Sequence, residues 1–390
     1  MQYDFDQIID RRNSCCFKYD ALKMLYGRED LVSLWVADMD FAVAPGIKEA
    51  LQTRLDHGVF GYNFRLDDYY HTIISWIQRR YGWQAEQDWI INTPGVVPAL
   101  NLAVLTLTRP DDKILIQPPV YRPFFNVITD HKRSLITNPL KLENGVYQLD
   151  REDFERKIRQ ASLFILCNPH NPVGRVWQRE ELEFMAELCK RYDVPIMSDE
   201  IHCDLVYPEH EFCSMGSLKE YQDLVIVSFS PAKSFNLAGL GASVTIIPNP
   251  RLRKAVNDLN QYMHLFTGNA FGIEALKTAY NIGDDWLDAL ISYLDGNRQY
   301  LAEYIAAELP ELSMIYPEGT FLAWINFAKL GMDDNALFDF LTNKARVALD
   351  PGRKYGVDGS GFSRLNFACP RSILEEAMDR LHKAIKENFR

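Results

Sequence analysis

Short apolar runs recur through the first two-thirds of the chain. They are Trp89–Asn92, Lys113–Gln117, Ser134–Thr137, Leu163–Cys167, Pro195–Ser198, Leu224–Phe229 and Ala242–Ile247. Between several of them lie longer stretches with helical spacing, such as Val97–Leu107 and Arg179–Tyr192. A near-continuous apolar strand is one buried on both faces, and helices between such strands supply the cover. The pattern therefore predicts an α/β fold: a mostly parallel seven-stranded sheet with helices on both faces. In such sheets ligands bind in the loops beyond the strand C-termini. The residues that follow each apolar run are thus the first place to look for chemistry.

After about Asp284 the pattern changes. A long helical stretch, Trp286–Leu309, is followed by an apolar run at Phe321–Phe327 and a helix near Ala336–Asn343. A short strand at Arg364–Phe367 and an amphipathic helix at Ser372–Asn388 complete the chain. This reads as a smaller α+β domain. The segment from Met1 to about Pro45 shows no sheet of its own and is expected to pack on it. The expected division is a large domain over 46–285 and a small one made of 1–45 and 286–390.

The charge balance narrows the function classes. With 42 Lys and Arg against 53 Asp and Glu, the net charge is −11. A nucleic-acid surface needs clustered cations, and pairs such as Arg11-Arg12 and Arg79-Arg80 are isolated. No stretch is long and apolar enough to span a bilayer, and Met1–Asp10 is acidic rather than leader-like. No membrane or nucleic-acid partner is expected. The seven cysteines include no C-x-x-C pair, so reduced thiols in a cytoplasmic protein, with no metal site, are the expectation.

Four motifs follow the apolar runs. Asn92-Thr93-Pro94-Gly95-Val96-Val97 opens a helix, whose exposed N–H groups suit an anion such as phosphate. Cys167-Asn168-Pro169-His170-Asn171-Pro172-Val173-Gly174 is a rigid turn that projects the Asn171 amide at the ligand edge. Met197-Ser198-Asp199-Glu200-Ile201-His202 places a carboxylate just past a buried strand, where it needs a cation. Phe229-Ser230-Pro231-Ala232-Lys233-Ser234-Phe235-Asn236 places a lysine in the same situation, where desolvation makes its amine a nucleophile or base. Each motif alone is also what an ordinary turn, helix cap or loop lysine looks like.

Taken together and in this order, the four resemble the fold-type I superfamily of pyridoxal-phosphate (PLP) enzymes, the aspartate-aminotransferase-like proteins. Further segments resemble one branch, the MalY/PatB-type C–S β-lyases: Trp35-Val36-Ala37-Asp38-Met39-Asp40-Phe41, Phe60-Gly61-Tyr62, Pro118-Pro119-Val120-Tyr121 and Lys233-Ser234-Phe235-Asn236-Leu237-Ala238-Gly239-Leu240. The resemblance implies that Lys233 carries the cofactor covalently and that Asp199 holds its pyridine nitrogen. It implies that Asn171 and His202 face the ring's phenolate oxygen and that Tyr121 stacks on the ring. Gly95, Val96, Val97 and Ser230 would cradle the phosphate, joined by Tyr62 from a second subunit of a homodimer with a shared site. Arg364 would grip the substrate carboxylate, with the Val36-Ala37 backbone closing over it.

Two departures from the superfamily pattern stand beside the lysine. Ala232 occupies a place where relatives often carry Ser or Thr. Gly241 stands eight residues after Lys233, where many aminotransferases carry a phosphate-binding Arg. The second departure favours α,β-elimination of a cysteine thioether over amino transfer. An aminotransferase is the alternative, and a PLP-fold regulator acting through a protein partner is a third reading.

Overall fold

The computed structural model describes residues 3–389. Residues 1, 2 and 390, the ends of the expected small domain, lie outside the described residues. The seven apolar runs of the first two-thirds of the chain form strands of one seven-stranded sheet: β1 (Ile90–Thr93), β2 (Lys113–Ile116), β3 (Ser134–Thr137), β4 (Leu163–Cys167), β5 (Ile196–Asp199), β6 (Val225–Phe229) and β7 (Ser243–Ile246). Their spatial order is β1-β7-β6-β5-β4-β2-β3. Every residue of β4, β5, β6 and β7 is buried, as strands covered on both faces must be.

Only β7 runs against its neighbours; it pairs antiparallel with both β1 and β6. The register Cys167↔Asp199↔Ser228 aligns the C-terminal ends of β4, β5 and β6 along one edge. Because β7 is reversed, its start comes to that same edge, with Ser243 opposite Thr93. Residues just before β7, including Gly241, therefore lie beside the loops that leave the parallel strands.

The remaining elements include a four-stranded sheet of β8 (Ser313–Ile315), β9 (Leu322–Asn326), β10 (Asp350–Pro351) and β11 (Phe362–Asn366), in the order β8-β9-β11-β10. The long helix Asp284–Glu308 and the C-terminal helix Arg371–Phe389 pack with it into one apolar core. Val32–Ser33 pairs in parallel with Val347–Ala348, which ties the N-terminal segment to this part of the chain. The helices Pro45–Asp56, Asp67–Tyr81, Pro250–Tyr262 and Ala270–Ile282 and the hairpin Lys141–Glu143/Val146–Gln148 are additional to the elements named from the sequence pattern. No helix among the described residues is long and apolar enough to cross a membrane.

Candidate active site

The ligand edge of the large sheet opens into a cavity of about 320 Å³. Ala37, Gly95, Val96, Val97, Tyr121, Asn171, Asp199, His202, Ser230 and Lys233 all line it. Val36, Tyr62 and Arg364 are not part of that lining.

Lys233 sits on the single helical turn Pro231–Ser234 that follows β6. Ser230 caps this turn by accepting the Ala232 N–H at 3.1 Å, which stops the strand and turns Lys233 towards the cavity. The lysine amine donates to the Ala37 carbonyl at 2.6 Å. Burial, with the Arg364 charge nearby, pushes the amine down to about 8, against the pull of Asp38 and Asp199.

Asp199 ends β5 and is 4% exposed. Its Oδ1 accepts the Ile201 N–H at 3.1 Å. Among the described residues no cation forms an ion pair with it, and burial raises its pKa to about 7, opposed by that N–H and by Lys233. His202 is buried with its Nδ1 lacking a hydrogen-bond partner. Burial, and then the charges of Lys233 and Arg364, hold it well below the usual histidine range, so the ring is neutral.

Asn171 lies in the Cys167–Gly174 turn, where Asn168-Pro169 and Asn171-Pro172 are both cis. The same turn carries His170, whose Nε2 donates to the Pro119 carbonyl at 3.0 Å and so ties it to the loop that presents Tyr121. Arg364, on β11, donates to Asn171 Oδ1 at 3.1 Å and to the Trp35 carbonyl at 2.9 Å. It also lies 3.4 Å from Asp350 and stacks over Tyr355, while its buried Nε has no partner. Arg364 thus stands behind Asn171, one residue removed from the cavity wall.

Helix α1 (Val96–Leu107) starts at the cavity with Gly95 as its cap residue. No side chain caps it and no acidic residue occupies its first turn, so its N–H groups remain to meet an anion. Ser230 is less free than the sequence suggests: its hydroxyl donates to the Ala242 carbonyl at 2.5 Å, and must turn to reach a ligand. The Val36 carbonyl is likewise taken by Asn366 Nδ2 at 2.6 Å. Tyr62 is fully exposed and lines a separate groove with Phe64 and Arg65, so within one chain it does not meet the other site residues. Gly241 lines the cavity at φ +57°, and its absent Cβ would sit 3.4 Å from the Pro94 carbonyl. An arginine there would carry left-handed backbone strain.

Two groups at the site were not singled out from the sequence. Asp38 is one of the two carboxylates whose charge acts on Lys233, and its signal lay in the Trp35–Phe41 segment. Asn236 accepts the Met39 N–H and donates to the Met39 and Phe41 carbonyls, and no local pattern announces such a contact.

The unmet groups have a common complement. A buried carboxyl without a cation, a helix start without an anion, and an unpartnered imidazole nitrogen suit a planar heteroaromatic ring with a protonated nitrogen and a phosphate tail. A desolvated lysine amine suits covalent attachment to a carbonyl on such a ring. The residues present therefore fit pyridoxal phosphate.

This is the site of an α/β enzyme built to hold a phosphate-bearing cofactor at the ends of its parallel strands. The family model "Aminotransferase class I and II" matches residues 29–381, and the chain belongs to that family. The chain is 40% identical to cystathionine beta-lyase PatB of Bacillus subtilis over 98% of this chain and all of that one. A PLP-bound putative aminotransferase from Clostridium difficile superposes at a TM-score of 0.97, with 42% identity over 98% of this chain and 100% of that one. Cystalysin from Treponema denticola, whose structure contains pyridoxal 5'-phosphate, also gives 0.97, with 36% identity over 99% and 100%.

Proposed function

We propose that this chain is a PLP-dependent carbon–sulfur lyase that eliminates the thiol from an L-cysteine thioether and yields pyruvate and ammonia. The observation that carries the reading is the cavity that brings the depressed Lys233 amine together with the buried, unpaired carboxyl of Asp199. The full-length likeness to a cystathionine beta-lyase supports the substrate class.

Asp199 would hold the protonated ring nitrogen by a charge-assisted hydrogen bond. Asn171 and His202 would hold the phenolate side, and Tyr121 would cover the ring. The amides of Gly95, Val96 and Val97 hold the phosphate, with Ser230 after rotation. When bound, pyridoxal phosphate supplies an electron-poor ring that accepts the electron pair left at the substrate Cα. Lys233 would hold the cofactor covalently through its Nζ. The Lys233 Nζ would take the substrate Cα proton and return a proton to the departing sulfur. Arg364, with Asn171 and the Val36-Ala37 backbone, orients the substrate carboxylate.

The proposal includes a homodimer in which Tyr62 of each copy reaches the other's phosphate, the division into 46–285 and 1–45 plus 286–390, and a cytoplasmic location. Full exposure of Tyr62 on an apolar segment with Val59, Phe60 and Phe64 supports the first. The absence of disulfides among the described cysteines is consistent with the last.

The deciding experiment mixes purified enzyme with cystathionine and no keto acid. Pyruvate and free thiol are expected; formation of a new amino acid only when a keto acid is added would make the chain an aminotransferase. The likeness to a putative aminotransferase keeps that second reading alive, and Gly241 in the cavity wall weighs against it.

Two further outcomes are expected. Arg364→Lys removes the planar fork and should raise KM about 10- to 100-fold, with kcat less affected. Tyr62→Phe should weaken cofactor retention about tenfold without altering the monomer's secondary structure, measured by dialysis and absorbance.

A further inference from the structure

We propose that Arg11 and Lys18 are positioning residues, which hold the segment Val36–Asp40 against Lys233 through an ion-pair cluster with Asp38 and Asp40. The inference rests on the lyase reading only in taking Lys233 as the reacting amine.

Lys18 is wholly buried and its amine lies 2.7 Å from Asp40 Oδ2, with Asp40 itself 2% exposed. Arg11 grips Asp38 with both arms, at 2.6 and 3.1 Å, and reaches Asp40 Oδ1 at 2.7 Å. Arg11 also donates to the Met39 carbonyl at 3.0 Å, so backbone and side chains of the segment are held together. Two cations and two anions make the cluster neutral. The segment they hold contains Ala37, whose carbonyl takes the Lys233 amine at 2.6 Å.

Neutral groups hold the same segment. Asn366 donates to the Val36 and Asp38 carbonyls, Asn236 brackets Met39, and the Asp40 N–H donates to Ala368. The peptide facing Lys233 is thus held by charged and neutral groups together. Buried ion pairs add little net stability over apolar side chains of the same size. What a fork and a buried amine do supply is one defined position for the groups they hold. Without Arg11, Asp40 keeps Lys18 but Asp38 loses its fork, and the segment can leave the lysine.

The test compares wild-type holoenzyme with Arg11→Met and Arg11→Lys. Hydrogen exchange of the amides at residues 36–40 should quicken about tenfold or more in Arg11→Met, while β6 exchanges as before. KM for the thioether should rise about tenfold with kcat changed much less, and Arg11→Lys should recover part of both. The exchange result needs no turnover, so it stands or falls apart from the lyase assignment. If the chain proves to transaminate, KM is measured for the amino-acid donor. A segment that exchanges as in wild type, a loosening spread evenly over the large sheet, or an unchanged KM each overturns the proposal.

Discussion

Lys233→Ala is expected to abolish the visible absorbance of lysine-bound cofactor and to lower turnover roughly a thousandfold or more. Both losses follow from one amine. Its pKa of about 8 leaves roughly a tenth of it as free base at pH 7, far more than an ordinary lysine would offer. That depression comes from burial at the end of β6 and from Arg364, neither of which an exposed lysine would feel. Lys233→Arg separates charge from chemistry: it keeps a cation beside Asp199, cannot lose its proton, and should be as inactive as the alanine variant. An alanine variant that kept its absorbance and its turnover would end the assignment.

Asp199→Asn should lower activity by two or more orders of magnitude, because a neutral amide cannot hold the ring nitrogen protonated. Its effect on the cofactor-free protein has the opposite sense. Burial lifts the Asp199 pKa from 3.8 to about 7 in the fold. Between those values the folded chain keeps a proton that the unfolded chain releases, so stability falls as pH rises through that window. Above it the loss is complete, on the order of a few kcal/mol. Asparagine does not titrate. The melting temperature of the variant relative to wild type should therefore climb by several degrees between pH 4 and pH 7.5 in the absence of cofactor. With pyridoxal phosphate bound the wild type should lose this slope, since a ring cation compensates the charge. A flat wild-type profile without cofactor would refute the burial argument.

The large sheet was legible because its strands are buried on both faces, which forces unbroken apolar runs such as Leu163–Cys167 and Val225–Phe229. Once those strands are placed, the loops after them follow, and four motifs at strand ends become one cavity. The helix Pro45–Asp56 buries only Ile47, so its pattern carries almost no period. The hairpin at 141–148 is mostly exposed and has little apolar alternation to read. At the site, the limits are of another kind. That Arg364 is turned towards Asn171, 193 residues away, and towards Asp350, and that Ser230 spends its proton on Ala242, depend on how separate elements pack and on side-chain rotation. The cluster of Arg11 and Lys18 with Asp38 and Asp40 is similar: four charges in an acidic chain look like surface until the fold buries Lys18 and Asp40 and half-buries Arg11 and Asp38.

The parallel pairing of Val32–Ser33 with Val347–Ala348 has a consequence for the order of events during synthesis. Val32–Ser33 leaves the ribosome more than three hundred residues ahead of its partner. The large sheet can close as soon as β7 has emerged, and with it the lysine is already in place. The strand that leads into the peptide facing this lysine has no sheet partner until more than three hundred further residues have been made, and until then Asn236 is that peptide's anchor. A nascent chain thus carries its reactive amine under a half-anchored cover, and becomes a finished catalyst only when this early strand is joined to the late one.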